Sequence, residues 1–107
     1  MRTELIPADK AVLSSLREGG DHPAIPREIR IWIYGSQDDL NKVADRLADN
    51  WDDTIPERDG EEWSILASRT QPTSDEAIIA MTNEIEAALE GTAADYDGWE
   101  TSIEKPQ

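Results

Sequence analysis

The feature that most constrains the fold is a change of hydrophobic period at Gly35. Before this glycine an isoleucine stands at every second position, which is typical of a β-strand with one buried face; these residues are Ile29, Ile31 and Ile33. After it, apolar residues follow the spacing of one face of an α-helix; these are Leu40, Val43, Ala44, Leu47, Ala48 and Trp51. The isoleucines are therefore expected to face a helical layer, which leaves Trp32 and Tyr34 on the opposite face of the sheet.

A further helix is expected ahead of this strand. Residues 7–18 carry apolar side chains on one side, Pro7 can open the helix, and Gly19 ends it. Residues 19–26 include two glycines and two prolines, so we expect a flexible linker there. The 107 residues are expected to form a single domain, with the main sandwich over residues 27–104.

The acidic stretch after the second helix is expected to form a β-hairpin. Residues 52–57 favour a short edge strand, where a proline is tolerated. Asp59 and Gly60 supply the turn chemistry, and residues 62–70 alternate between apolar and polar as a returning strand does. Six acids concentrate around this hairpin: Asp52, Asp53, Glu57, Asp59, Glu61 and Glu62.

The last third of the chain is expected to form a helix and a final strand. A capping box that starts at Thr73 opens a helix over residues 74–90, and a strand follows over residues 96–104. Gly98 within that strand indicates a bulge or the close approach of another backbone. The predicted order βαββαβ is that of a ferredoxin-like α+β sandwich, with two helices on one face of a four-stranded antiparallel sheet and an additional N-terminal helix.

The net charge limits which partners the chain can bind. Acidic residues number 24 and basic residues 10, which gives a formal net charge of −14. The charge is uneven, since residues 1–35 sum to zero while residues 36–62 and 63–107 each carry −7. Such a field repels nucleic-acid phosphates and attracts a basic protein surface. A requirement for solubility alone would also explain the large number of acidic residues. We expect a basic protein partner that the six hairpin acids contact, and no direct contact with nucleic acid.

Few residues could support catalysis or metal binding. The chain has no cysteine, and its one histidine, His22, lies in the expected linker. This composition is a poor match to a zinc site, and the sequence has neither a nucleophile elbow nor a glycine-rich phosphate loop. We therefore expect no catalytic residue, no metal and no cofactor. The apolar run of a signal peptide and a stretch of about 18 apolar residues are also missing, so a cytoplasmic protein without membrane contact is expected.

One motif near the C-terminus resembles that of a known family. The stretch Tyr96-Asp97-Gly98-Trp99-Glu100-Thr101, entered from a long helix, is similar to the final strand of the RraB family, the regulators of ribonuclease E activity B. The resemblance implies the same order of helices and strands. It also implies a non-catalytic protein that binds the arginine-rich scaffold region of ribonuclease E, or another degradosome component, and restrains RNA turnover. Four residues of the motif are expected to be mainly structural: Tyr96, Asp97, Gly98 and Trp99.

The sequence leaves alternatives for the open face of the sheet and for the function. The helix over residues 7–18 could lie over Trp32 and Tyr34, or these aromatic residues could form an exposed protein-binding surface. The function could instead be that of a small-molecule-sensing dimer, in which two ferredoxin-like sandwiches pair. It could also be that of an immunity- or antitoxin-like inhibitor of a basic nuclease.

Overall fold

The computed structural model describes residues 1–105, and the fold is a ferredoxin-like α+β sandwich with an additional N-terminal helix. Its helices and strands are α1 (Pro7–Glu18), β1 (Arg27–Gly35), α2 (Gln37–Leu47), β2 (Glu57–Asp59), β3 (Glu62–Gln71), α3 (Asp75–Leu89) and β4 (Asp95–Thr101). The four strands form one antiparallel sheet in the order β2-β3-β1-β4. The predicted fold class is therefore confirmed. Residues 106 and 107 of the expected domain lie outside the described residues.

The core lies between the sheet and the helices, on the face that the isoleucines of β1 occupy. Ile29, Ile31 and Ile33 are fully buried, as their alternation predicts. They belong to one cluster with buried apolar residues of α2, β3 and α3: Leu40, Val43, Leu47, Ile65, Ala67, Ile78, Met81 and Ile85. Burial of one large apolar side chain stabilises a fold by about 1.5–3 kcal/mol, so this layer holds the helices against the sheet.

Side-chain caps set where α2 and α3 begin. The Ser36 hydroxyl accepts a hydrogen bond from the Asp39 N–H at 3.2 Å and so caps the N-terminus of α2. At α3 the cap is Ser74, whose hydroxyl accepts a hydrogen bond from the Ala77 N–H at 3.3 Å. The prediction that Thr73 caps this helix is wrong, because Thr73 is fully buried and its hydroxyl donates to another part of the chain.

The edge strand β2 starts later than the sequence indicates. A strand is predicted over residues 52–57, but β2 begins only at the last of them, and before it one isolated bridge joins Asp52 to β3. The intervening chain cannot continue the ladder, because Asp53 has a left-handed φ of 57° and Pro56 lacks an N–H. The hairpin turn that follows contains Gly60 at a φ of 64°, as the turn chemistry predicts.

The leading helix α1 spans the predicted residues and packs on the helical face of the sheet. Leu13 and Leu16, on its apolar side, belong to the same core cluster as the isoleucines of β1. Trp32 and Tyr34 point to the opposite face, as the alternation along β1 shows. The hypothesis that α1 covers these two aromatic residues is therefore wrong, because its one apolar side is already buried elsewhere.

Candidate functional site

The face of the sheet opposite the helices carries an apolar strip at its centre. Strand register places Trp32 of β1 directly opposite Leu66 of β3, so both side chains lie on this open face. Tyr34 follows two residues later on the same face. Tyr34 is 36% exposed and Leu66 is 42% exposed, while Trp32 is half-buried. These three residues, Trp32, Tyr34 and Leu66, are named the aromatic strip below.

One edge of the open face is lined by the hairpin acids. Glu57 of β2 pairs with Ser64 of β3, and Asp59 pairs with Glu62, so these three acids share the face of the aromatic strip. Asp52 lies further along the same edge, where the isolated bridge holds it opposite Ser68 of β3. All six acids singled out in the sequence are exposed: Asp52, Asp53, Glu57, Asp59, Glu61 and Glu62.

The other edge of the open face, formed by β4, is acidic too. Asp95 lies opposite Tyr34, and Glu100 lies opposite Arg30. Both acids are exposed. Sequence reasoning missed them because the face that a residue of β4 occupies depends on its register with β1. The open face therefore has an apolar centre between two acidic edges.

The arginines form no ion pair with the hairpin acids within residues 1–105, because six of them bond elsewhere and Arg58 donates to the Gly60 carbonyl of the hairpin turn. Every arginine donates a hydrogen bond to a carboxylate or a backbone carbonyl: Arg2, Arg17, Arg27, Arg30, Arg46, Arg58 and Arg69. On the open face, Arg30 lies 3.1 Å from Glu28 and 3.8 Å from Glu100. Within residues 1–105, none of the six hairpin acids is at ion-pair distance from a cation. Their negative field is thus directed at solvent.

The C-terminal motif holds α1 in place through Trp99. This residue is buried opposite Ile31 on the helical face, and its Nε1–H donates to the Asp9 carboxylate at 3.0 Å. The same carboxylate accepts a hydrogen bond from the Thr82 hydroxyl of α3. Asp9 is itself buried, so one carboxylate joins α1 to both α3 and β4.

Sequence reasoning missed this role of Asp9. A signal was present in its spacing, because Asp9 precedes Leu13 by four residues and Leu16 by seven, which places it on the apolar side of α1. Tyr96 lies close to the same carboxylate, and its hydroxyl is buried without a hydrogen-bond partner among residues 1–105. Burial, which is the larger cause, and the negative charge of Asp9 both raise the pKa of Tyr96 above its ordinary value.

Gly98 forms a bulge in β4, as the sequence indicates. The pairing between β1 and β4 shifts between Trp32 and Ile33, so Asp97 is an extra residue in β4. Gly98 has a φ of 105°, a conformation that residues with a side chain rarely adopt. The bulge therefore depends on the backbone freedom of the glycine, and the Asp97 side chain is exposed to solvent.

A comparison with protein families identifies the group to which the chain belongs. The model of the family described as Regulator of ribonuclease activity B matches residues 7–101. The chain belongs to the RraB family. The comparison with curated proteins found no match. Because the matched residues run from the start of α1 to the end of β4, α1 is part of the region that RraB proteins share.

In this RraB fold, a buried ion pair holds the segment between α1 and β1. The side chains of Asp21 and Arg27 are 1% and 2% exposed, and their Oδ1 and Nη1 atoms are 2.7 Å apart. The guanidinium also donates to three backbone oxygens, including that of Ser102. Residues 19–26 are therefore held in place, and the expectation of a flexible linker is wrong.

The Asp21 carboxylate is the centre of this network. Besides the ion pair, it accepts hydrogen bonds from the Glu104 N–H at 2.8 Å and from the Thr73 hydroxyl at 3.1 Å. Burial by itself raises the pKa of Asp21, but the hydrogen bonds from Glu104, Arg27 and Thr73 outweigh it and hold this pKa below its ordinary value. The network joins the segment before β1, the start of α3 and the C-terminal segment, and it explains why Thr73 is buried.

Two depressions lie on different sides of the molecule. A groove of about 510 Å³ runs between the N-terminal residues and α3, with Ile79 and Ala80 in its wall. A depression of about 290 Å³ lies at the Tyr34 end of the open face. Within residues 1–105, no three or more His, Cys, Asp or Glu side chains are grouped so that they could hold a metal ion. None of the helices in this part of the RraB chain has the length and apolar character needed to cross a membrane.

Proposed function

We propose that this chain is a non-catalytic regulator that binds a basic region of an RNA-decay endonuclease and restrains its activity. One observation carries the proposal, namely six exposed hairpin acids that form no ion pair within residues 1–105: Asp52, Asp53, Glu57, Asp59, Glu61 and Glu62. Membership of the RraB family supports a ribonuclease as the partner. The resemblance to RraB proteins points to ribonuclease E or another degradosome component as that ribonuclease.

The electrostatics give such a regulator a way to act. With a net charge of −14, the chain attracts a basic segment and speeds its encounter, whereas it repels RNA phosphates. A scaffold region that binds RNA presents arginines and lysines to phosphates. The hairpin acids can form ion pairs with those side chains and thereby compete with RNA for the same region. This mode of action requires no bond-making by the chain itself.

The alternative functions make different demands on the molecule. A small-molecule-sensing dimer requires a ligand cavity between two copies, and two chains of net charge −14 repel each other. An immunity-like inhibitor of a basic nuclease would use the same acids on a different target. The RraB family match favours ribonuclease regulation over both.

RNA cleavage by a purified ribonuclease E-type endonuclease, with and without its basic scaffold region, tests the proposal. We expect the chain to bind only the enzyme that retains this region and to slow its cleavage of RNA. Binding should weaken as the ionic strength rises from about 0.05 to 0.5 M, because the screening length shortens several-fold. Failure to bind at low salt, or RNA cleavage by the chain alone, would contradict the proposal.

Two matched variants, which lose the same number of acids, distinguish the effect of the hairpin acids on binding from the effect of net charge. The hairpin variant removes three acids of the open face: Glu57→Gln, Asp59→Asn and Glu62→Gln. The helix-side variant removes three exposed acids near the ends of α2 and α3: Asp45→Asn, Asp49→Asn and Glu90→Gln. Because each exposed ion pair contributes up to about 1 kcal/mol, we expect the hairpin variant to bind about tenfold more weakly or worse. An equal loss in both variants would show that the hairpin is not the contact.

A further inference from the structure

No helix within residues 1–105 covers the aromatic strip. The helix that could have covered it, α1, packs on the other face with Leu13 and Leu16 in the core. Tyr34 and Leu66 are therefore exposed to solvent, between an acidic edge on β2 and another on β4. A partner that covers this face must offer apolar or flat groups at its centre and positive charge at its sides.

The two ends of the open face differ in charge. At one end Arg30 pairs with Glu28 and lies near Glu100, so the acids there are partly neutralised. At the other end, acids from β2, β3 and β4 surround Tyr34 without an ion-pair partner among residues 1–105: Glu57, Asp59, Glu62 and Asp95. A positively charged group of a partner is therefore attracted most strongly at the Tyr34 end.

The depression of about 290 Å³ lies at this end, where β1 ends and β3 begins. Six residues line it: Tyr34, Gly35, Glu61, Glu62, Trp63 and Asp95. Tyr34, Glu62 and Asp95 belong to the open face, whereas the Trp63 side chain packs against the core on the helical face. A guanidinium suits such a lining, because its planar group stacks on aromatic rings and donates paired hydrogen bonds to carboxylates. An ammonium is a point charge that cannot make the same paired hydrogen bonds.

On the basis of the proposed function, we infer that the open face binds an extended, arginine-containing segment of the partner and that one arginine side chain enters the depression beside Tyr34. Neighbouring strands are about 4.8 Å apart, so the two acidic edges lie roughly 7 Å on either side of the midline of the sheet. Long side chains of a segment that follows the aromatic strip can reach both edges. Charge disfavours a second copy of this chain and nucleic acid as occupants, because both are negatively charged.

Titration of the full chain with octa-arginine and with octa-lysine, at equal ionic strength, tests this inference. The peptides carry equal charge, so the proposed function predicts that both bind. The inference predicts in addition that octa-arginine binds at least about fivefold more tightly, because of guanidinium stacking at an exposed ring. Tyr34→Ala should reduce this preference to less than about twofold on the same grounds. The control Ile55→Ala, at a residue 78% exposed and outside the paired strands, should leave the preference unchanged.

Amide chemical shifts of the unaltered chain provide a second measurement that does not depend on the folding of a variant. Octa-arginine is expected to shift the amide signals of Trp32, Tyr34 and Leu66 and to leave those of α2 unchanged. Equal affinity for the two peptides, or shifts confined to other surfaces, would overturn the inference and leave the proposed function standing. Absence of binding by both peptides at low salt would overturn the inference and the proposed function together.

Discussion

The buried carboxylates on the helical side and the exposed carboxylates of the hairpin use one chemical group in opposite ways. Asp9 and Asp21 accept hydrogen bonds within the chain and join segments that are distant in sequence. Glu57, Asp59 and Glu62 face solvent and form no ion pair within residues 1–105. The acids that stabilise the fold are therefore different from those proposed to bind the partner, and we expect that stability and binding can be altered separately.

The two groups of carboxylates differ in how much their removal lowers the free energy of unfolding. Breaking a buried ion pair leaves an uncompensated charge and lowers the free energy of unfolding by about 3–5 kcal/mol. Replacing an exposed carboxylate that has no partner changes it by no more than about 0.5 kcal/mol. Since a small domain has a total stability of about 5–15 kcal/mol, only the first change threatens the fold.

Asp21→Asn is expected to have the largest effect on stability. The substitution leaves the Arg27 guanidinium, which is 2% exposed, without its counter-ion. The free energy of unfolding should fall by about 3–5 kcal/mol, as for other buried ion pairs that lose one partner. Urea denaturation followed by circular dichroism measures this change.

The double variant Asp21→Asn/Arg27→Met is the control for this prediction. It removes both buried charges, so it should recover a large part of the stability that the single variant loses. A double variant that is as unstable as the single one would assign the loss to the hydrogen bonds of Asp21 with Glu104 and Thr73 instead of to charge.

Acidic pH is expected to weaken the same network. The pKa of Asp21 is lowered in the folded chain, so its carboxylate stabilises the fold above its ordinary pKa of about 4. That contribution is lost as the pH falls through the lowered pKa. Between about pH 7 and pH 2, the Asp21→Asn variant should therefore lose less stability than the unaltered chain. Denaturant titrations at both pH values check this, and identical losses would contradict it.

Trp99→Phe is expected to have an intermediate effect. It keeps an aromatic ring in the core but removes the Nε1–H that donates to the buried Asp9 carboxylate at 3.0 Å. A buried acceptor that loses its donor costs about 1–3 kcal/mol. Thermal denaturation compared with the control Trp63→Phe, at a half-buried ring, measures the effect. Equal destabilisation by the two substitutions would show that the bond to Asp9 contributes little.

The hairpin variant, with Glu57→Gln, Asp59→Asn and Glu62→Gln, is expected to have the smallest effect on stability. Its free energy of unfolding should stay within about 0.5 kcal/mol of the unaltered chain. At low ionic strength it should be slightly more stable, because fewer like charges repel one another. Melting curves at low and high salt measure both effects. A large destabilisation would remove the distinction between the two groups of acids.

The order of helices and strands was predictable because its signals are local. The alternation at Ile29, Ile31 and Ile33 and the helical spacing after Gly35 each depend on near neighbours in sequence. The position of α1 was not predictable in this way, because an apolar side shows that a helix is buried but not which face of a sheet buries it. The Asp9 contacts that decide it reach across 73 and 90 residues.

The candidate site was predictable only in part. The hairpin acids stand close together in the sequence, so their clustering is visible without a structure. Leu66 and Asp95 join Tyr34 only through the pairing of β1 with β3 and with β4, and strand register is not a local property. The start of β2 was misplaced because the left-handed backbone at Asp53 has no clear signal in sequence.

The salt dependence of binding tests most directly whether the exposed hairpin acids contact a basic partner. The dissociation constant for the basic region of the ribonuclease is measured over a range of ionic strength for the unaltered chain, the hairpin variant and the helix-side variant. We expect the hairpin variant to have a larger dissociation constant and a shallower salt dependence, and the helix-side variant to stay close to the unaltered chain. The same salt dependence for all three proteins would contradict it.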